Sequence, residues 1–155
     1  MPVHSEKRVL PYTAEQMFDL VVSVDRYPEF LPWCLASRIK ERADGVLLAD
    51  LVIGFKIFRE RFGSRVAFER PSRIEVRPTA GPFRRMTNDW SFEDRPEGGC
   101  LIDFHVDFQF RSRLLDKLIG PLFHEAVRKM VTAFEARARQ LYGPADADLA
   151  KDTAA

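Results

Sequence analysis

The sequence predicts an α+β domain in which one long C-terminal helix lies across a curved antiparallel sheet. Three stretches carry that prediction. Over residues 100–111 apolar and polar side chains alternate, with Ile102, Phe104, Val106, Phe108 and Phe110 on one face and Leu101, Asp103, His105, Asp107 and Gln109 on the other. Met86, Asn88, Trp90 and Phe92 alternate likewise with Arg85, Thr87, Asp89, Ser91 and Glu93. Strands of this kind build a sheet with one wet face and one covered face. The cover follows in the chain: Leu115, Leu118, Ile119, Leu122, Phe123, Ala126, Val127, Met130, Val131, Phe134, Ala138 and Leu141 recur at the steps of a helix.

The remaining elements fall into place around these. Residues 3–11 read as a first strand. Thr13, with Gln16 following, has the form of a capping box, and Met17, Phe18, Val21 and Val22 give the helix behind it an apolar stripe. Asp25 is positioned to cap a second short turn, which Pro28 and Pro32 keep short. From Trp33 to about Phe110 the period is two, with turns expected at Asp44-Gly45, at Gly63-Ser64 or near Gly54, at Pro71-Ser72, at Ala80-Gly81-Pro82 and at Pro96-Glu97-Gly98-Gly99. Short strands joined by tight turns give an antiparallel meander. Gly120-Pro121 should kink or restart the long helix, and Gly143-Pro144 should end it.

Composition narrows the function. A chain of 155 residues suits one domain. Thirteen phenylalanines against three tyrosines describe an interior that is wide and greasy, with few polar handles. A net charge of +1 gives no electrostatic footprint for DNA. Cys34 and Cys100 lie far apart in apolar strands, outside any metal or redox spacing, and read as reduced buried thiols of a cytoplasmic protein. The N-terminal residues have no apolar signal core, and no run approaches the ~20 apolar residues of a spanning helix. Membrane contact is therefore expected to be peripheral, on the inner membrane.

Catalytic and metal motifs are missing from the sequence. His4, His105 and His124 are the three histidines. His105 sits between Asp103 and Asp107 on a polar face, and His124-Glu125 lacks the second histidine of a zinc-protease helix. Arg111, Arg113 and Lys117 cluster at the start of the long helix, as a solvated face or as a contact for lipid or ribosomal phosphate.

Several collinear segments resemble a known family. They are Val24-Asp25-Arg26-Tyr27-Pro28-Glu29-Phe30-Leu31-Pro32-Trp33-Cys34, Val52-Ile53-Gly54-Phe55-Lys56, Ser64-Arg65-Val66, Gly81-Pro82-Phe83 with Trp90-Ser91-Phe92, and Met130-Val131-Thr132-Ala133-Phe134-Glu135. Together they resemble the coenzyme Q-binding START-like family of the polyketide cyclase and lipid-transport superfamily, over about residues 9–143. The resemblance implies a helix-grip (START/Bet v 1-like) fold over residues 1–143, followed by a disordered tail at 144–155. It further implies an apolar tunnel between sheet and helix that binds ubiquinone or a related isoprenoid lipid, in support of respiration or quinone synthesis. A sister branch is a ribosome-association toxin that blocks subunit joining. Trp33 in Leu-Pro-Trp-Cys looks like the quinone branch, since the toxin branch tends to carry glycine there. Ala80 departs from the acidic residue usual before Gly-Pro-Phe.

The expected ligand-lining set is Trp33, Leu35, Phe58, Glu60, Phe62, Met86, Asn88, Trp90, Phe104, Phe108, Phe123, Val127, Met130 and Phe134. No catalytic or metal-ligating residue belongs to it, and ubiquinone is expected as a bound ligand rather than a cofactor. Glu60 and Ser64 share strand parity with Phe58, Phe62, Val66 and Phe68, and Asn88 shares a face with Met86 and Trp90. Buried without partners, each would cost about 1–3 kcal/mol or more, so they are either the polar groups of a greasy cavity or are satisfied elsewhere. For Glu60 the alternatives are a pair with Arg38 or Arg59, or a bulge that turns it outward. Phe55, Lys56 and Ile57 mix apolar and cationic groups near a turn, as a bilayer-touching hairpin tip or as a buried strand edge. The readings that follow are a quinone-binding carrier or chaperone with a transient membrane contact, a ribosome-binding translation inhibitor, and a cyclase-like enzyme. The last needs an acid/base pair in the pocket, for which no candidate is found.

Overall fold

The computed structural model describes residues 3–55 and 58–143, the side chains of Phe55 and Phe58 excepted. Strand β1 (Val3–Leu10) leads into helix α1 (Ala14–Val22) and a 3-10 turn (Val24–Glu29). Strands β2 (Cys34–Ala43), β3 (Val46–Phe55), β4 (Phe58–Glu69), β5 (Arg73–Ala80), β6 (Phe83–Asp94) and β7 (Cys100–Phe110) follow as a meander. Helix α2 (Arg113–Ile119), a 3-10 turn (Gly120–Leu122) and helix α3 (Phe123–Tyr142) complete the described chain. The seven strands form one sheet, ordered β1-β7-β6-β5-β4-β3-β2, and every described pairing is antiparallel.

Local sequence explains the boundaries. Thr13 and Gln16 form the capping box at α1: the Thr13 hydroxyl accepts from the Gln16 amide at 3.0 Å, and the Gln16 side chain accepts from the Thr13 amide at 2.9 Å. Asp25 does not cap the short 3-10 turn; its N-terminal flank is Ser23, without a side-chain cap, and the turn is closed by the Arg26 amide donating to the Ser23 carbonyl at 3.0 Å and by burial of Val24. Gly63 and Ser64 lie inside β4 at a register shift against β5, so the expected turn there is a bulge instead. The β3–β4 reversal comes beyond Gly54, where Phe55 pairs with Phe58. Gly99 occupies φ +74, and a Cβ there would stand 2.2 Å from the Leu10 carbonyl oxygen, which explains glycine at that close approach of β7 to the end of β1.

Helix α3 buries Phe123, Val127, Phe134 and Ala138 against the sheet. Its C-terminal half is held at both flanks. The Tyr142 hydroxyl donates to the Gln16 carbonyl at 2.9 Å, and the Tyr12 hydroxyl donates to the Gly143 carbonyl at 3.2 Å. Arg8 pairs with Glu135, and Arg137 pairs with Glu29 at 2.5 Å while lying over the Phe30 ring. The restart at Gly120-Pro121 separates α2 from this clamped segment.

Candidate functional site: an apolar cavity under the long helix

An interior cavity of about 220 Å³ lies between the curved sheet and α3. Protein interiors hold few voids larger than a water molecule, so a space of this size is a candidate binding site. The helix contributes Phe123, Ala126, Val127, Met130 and Phe134, one face of α3 with Ala126 beside it. Strands β6 and β7 contribute Phe83, Met86, Asn88 and Trp90, then Val106, Phe108 and Phe110. Strands β3 and β4 add Leu51, Ile53, Phe62, Ser64 and Val66, while Val24, Tyr27, Leu31 and Trp33 close the side nearest the 3-10 turn.

The wall carries no charged side chain among the described residues. Tyr27 is its one ionisable group, and that hydroxyl is spent on the Val21 carbonyl, with burial raising its pKa. Asn88 is largely satisfied: its amide donates to the His105 carbonyl at 3.3 Å and its oxygen accepts from the Trp90 indole at 3.0 Å. The Ser64 hydroxyl donates to the Ala49 carbonyl at 3.4 Å, which leaves its lone pairs available. Trp33 differs from these. Its backbone is pinned where its carbonyl accepts from the Gly54 amide at 2.8 Å, yet its buried indole N–H has no hydrogen-bond partner among the described residues. A buried donor left unmade costs about 1–3 kcal/mol, and an acceptor on an occupant would recover it.

Ten of the fourteen residues read from the sequence as lining the tunnel stand on this wall: Trp33, Phe62, Met86, Asn88, Trp90, Phe108, Phe123, Val127, Met130 and Phe134. Leu35 does not. It is 47% exposed, because Cys34 points inward and the next residue of the strand points out, just before a register shift at Ala36. Phe104 also lies elsewhere. It is buried, but it stacks on Trp90 at 5.0 Å and borders a smaller void with Leu10, Met17, Ile102 and Val131. Glu60 is half-buried opposite Ile53 and contributes nothing to the cavity wall. Arg38, considered as its partner, instead lies 3.7 Å from Asp50. The Phe58 and Phe55 side chains, and Lys56 and Ile57, lie outside the described residues.

Away from the cavity, His105 is held by Asp107 at 2.8 Å and Ser5 at 2.5 Å on the outer face. Asp107 sits below the usual carboxylate range, chiefly because the Thr87 hydroxyl donates to it. Cys34 and Cys100 are free and buried, and burial pushes both thiols up to about 11. In the native protein at pH 8 neither thiol should react with a thiol-specific dye over a period in which denatured protein labels both; rapid native labelling of either would contradict this burial.

No helix among the described residues is long and apolar enough to cross a membrane. Residues 10–135 match the model of the family described as polyketide cyclase / dehydrase and lipid transport. The chain belongs to that family. The ribosome association toxin RatA of Pseudomonas aeruginosa is 38% identical over 144 residues, covering 92% of this chain and 100% of that protein. The mitochondrial coenzyme Q-binding protein COQ10 homolog B of Xenopus laevis is 35% identical over 152 residues, covering 95% of this chain and 62% of that protein. The solution structure of the 18 kDa protein CC1736 from Caulobacter crescentus is 38% identical with a TM-score of 0.75, over 92% of this chain and 99% of that one. A START superfamily protein from Mycobacterium smegmatis superposes with a TM-score of 0.78 at 19% identity, over 90% of this chain and 98% of that one. The fold is thus helix-grip, START-like.

Proposed function

We propose that this protein binds ubiquinone or a related isoprenoid lipid in the cavity and acts as a carrier or chaperone for it, not as a catalyst, in support of respiration or quinone synthesis. The observation that carries this reading is the pairing of an uncharged apolar wall with one orphaned donor, the Trp33 indole. A fatty-acid carboxylate or a phosphate would enter unpaired, at a cost of several kcal/mol per ion. A neutral molecule with a greasy body and an acceptor oxygen meets no such cost, and each methylene it buries contributes about 0.8 kcal/mol. The Xenopus relative, a coenzyme Q-binding protein, supports the same ligand class.

Lipid extraction of the purified protein followed by mass spectrometry is the direct test, and a co-purifying quinone is the expected result. Trp33→Phe sharpens it, since an aromatic ring is kept, though a smaller one, while the donor is removed. Quinone affinity should fall roughly tenfold, while the ligand-free protein should be as stable as wild type or slightly more so. Unchanged quinone affinity in a folded Trp33→Phe protein would remove the indole from the reading.

A second reading is favoured by the Pseudomonas relative, the ribosome association toxin RatA. On that reading the outer surface binds the ribosome and translation is inhibited. Co-sedimentation with ribosomes, insensitive to Trp33→Phe, is its signature.

A further inference from the structure

Helix α2 has more apolar surface than the core covers. Around its axis, Leu115 and Ile119 turn inward and pack on the core, and Ile119 reaches the cavity wall. The adjoining row, Leu114 and Leu118, is 66% and 43% exposed. The next row round, Arg113 and Lys117, is also exposed, and neither has a carboxylate partner among the described residues. Steps of four residues put each pair on one line of the helix surface, so leucines and cations run side by side.

Two hydrogen bonds tie down the start of the helix. The Ser112 hydroxyl caps it by accepting from the Leu115 amide at 3.3 Å, and the Asp116 carboxylate accepts from the Phe110 amide at 2.9 Å. The latter bond spends the helix's own acid on β7, away from the cations. Arg111, one step before the helix, is exposed and reaches the Gly81 carbonyl at 3.3 Å. An apolar row flanked by unpaired cations is the chemistry of a segment lying at a bilayer surface, with leucines below the headgroups and cations among anionic ones. A phosphate-rich RNA surface would use the cations but would leave the leucines in water.

From this we infer that α2 docks the protein on an anionic lipid bilayer through Leu114 and Leu118, with Arg113 and Lys117 at the headgroups. Ile119 and Phe123 then set the wall of the cavity directly behind the docked helix, so a lipid leaving the bilayer there enters apolar surroundings. The net charge of +1 makes this local patch, not whole-protein attraction, the source of binding.

Flotation of the full chain with vesicles of phosphatidylcholine, with and without phosphatidylglycerol, tests the inference. The wild type should float with the phosphatidylglycerol vesicles and only weakly with phosphatidylcholine alone. Leu114→Ser with Leu118→Ser should lower partitioning roughly tenfold or more. Arg113→Gln with Lys117→Gln should lower it about fivefold per cation and erase the preference for the anionic lipid. Thermal melting should be close to wild type in both pairs, given their exposure. Wild-type flotation of the leucine pair, or melting of that pair far below wild type, would overturn the inference. So would loss of ribosome co-sedimentation in the cation pair with flotation unchanged. Quinone retention is measured in parallel from detergent, without vesicles. If no variant, nor the wild type, retains quinone while flotation still follows α2, the ligand reading fails and the docking surface stands.

Discussion

Phe134→Ala should lower the free energy of unfolding by about 3–5 kcal/mol. Phe134 is 4% exposed, and its ring meets Tyr27 at 5.6 Å, Phe30 at 5.3 Å and Trp90 at 5.4 Å, all edge-on. Truncation removes the transfer energy of the ring and three aromatic contacts, each worth about 0.5–1.5 kcal/mol beyond area. It also joins the cavity to the smaller void on the other side of Phe134, since the ring borders both. Arg137 with Glu29 and Arg8 with Glu135 hold the helix on either side of that gap. Urea unfolding with linear extrapolation measures the loss. A value under about 1 kcal/mol would mean that Phe134 is not a keystone of the sheet–helix contact.

The architecture was legible because its two periods are clean. The alternation in β7 was read correctly as far as facing goes: Ile102, Phe104, Phe108 and Phe110 are all buried. The same reading could not divide that face. Ile102 and Phe104 border the small void beside Met17 and Val131, whereas Val106, Phe108 and Phe110 border the cavity. Which part of a face a crossing helix seals depends on the crossing point, and periodicity holds no record of that. Phe104 therefore lies off the cavity wall although it faces the covered side of the sheet.

The cavity wall was legible where family resemblance and strand parity agreed, and opaque where a bulge or a loop decides. Leu35 was expected on the tunnel wall, but β2 begins at Cys34, which faces inward, and the next residue faces out. The missed wall residues Leu51 and Ile53 share strand parity with Leu47 and Ala49, so the signal was present in β3 and could have been used. The orphaned indole of Trp33 had no such signal, since a turn residue's hydrogen-bond partners depend on chain segments far away in sequence.

Met130→Asp should abolish ligand binding while leaving a folded protein. Met130 is half-buried on the cavity wall, between the more deeply buried Val127 and Phe134, so the empty protein tolerates a polar group there better than at either neighbour. An occupant changes that balance. It would strip water from the introduced carboxylate, at a cost of several kcal/mol, and it would lose about 1.5–3 kcal/mol of contact with the methionine. A combined loss near 4 kcal/mol weakens quinone binding on the order of a thousandfold. The sign with pH follows from the same physics. Burial beneath a ligand raises the carboxyl's pKa in the complex above its value in the free protein, so affinity should recover as pH falls and the acid takes up its proton. Met130→Leu, which keeps the volume and adds no charge, should bind nearly as wild type does. Quinone binding measured at pH 8 and pH 5, with circular dichroism to check folding, separates the outcomes. A folded Met130→Asp protein that retains quinone as wild type does at pH 8 would place the ligand away from α3.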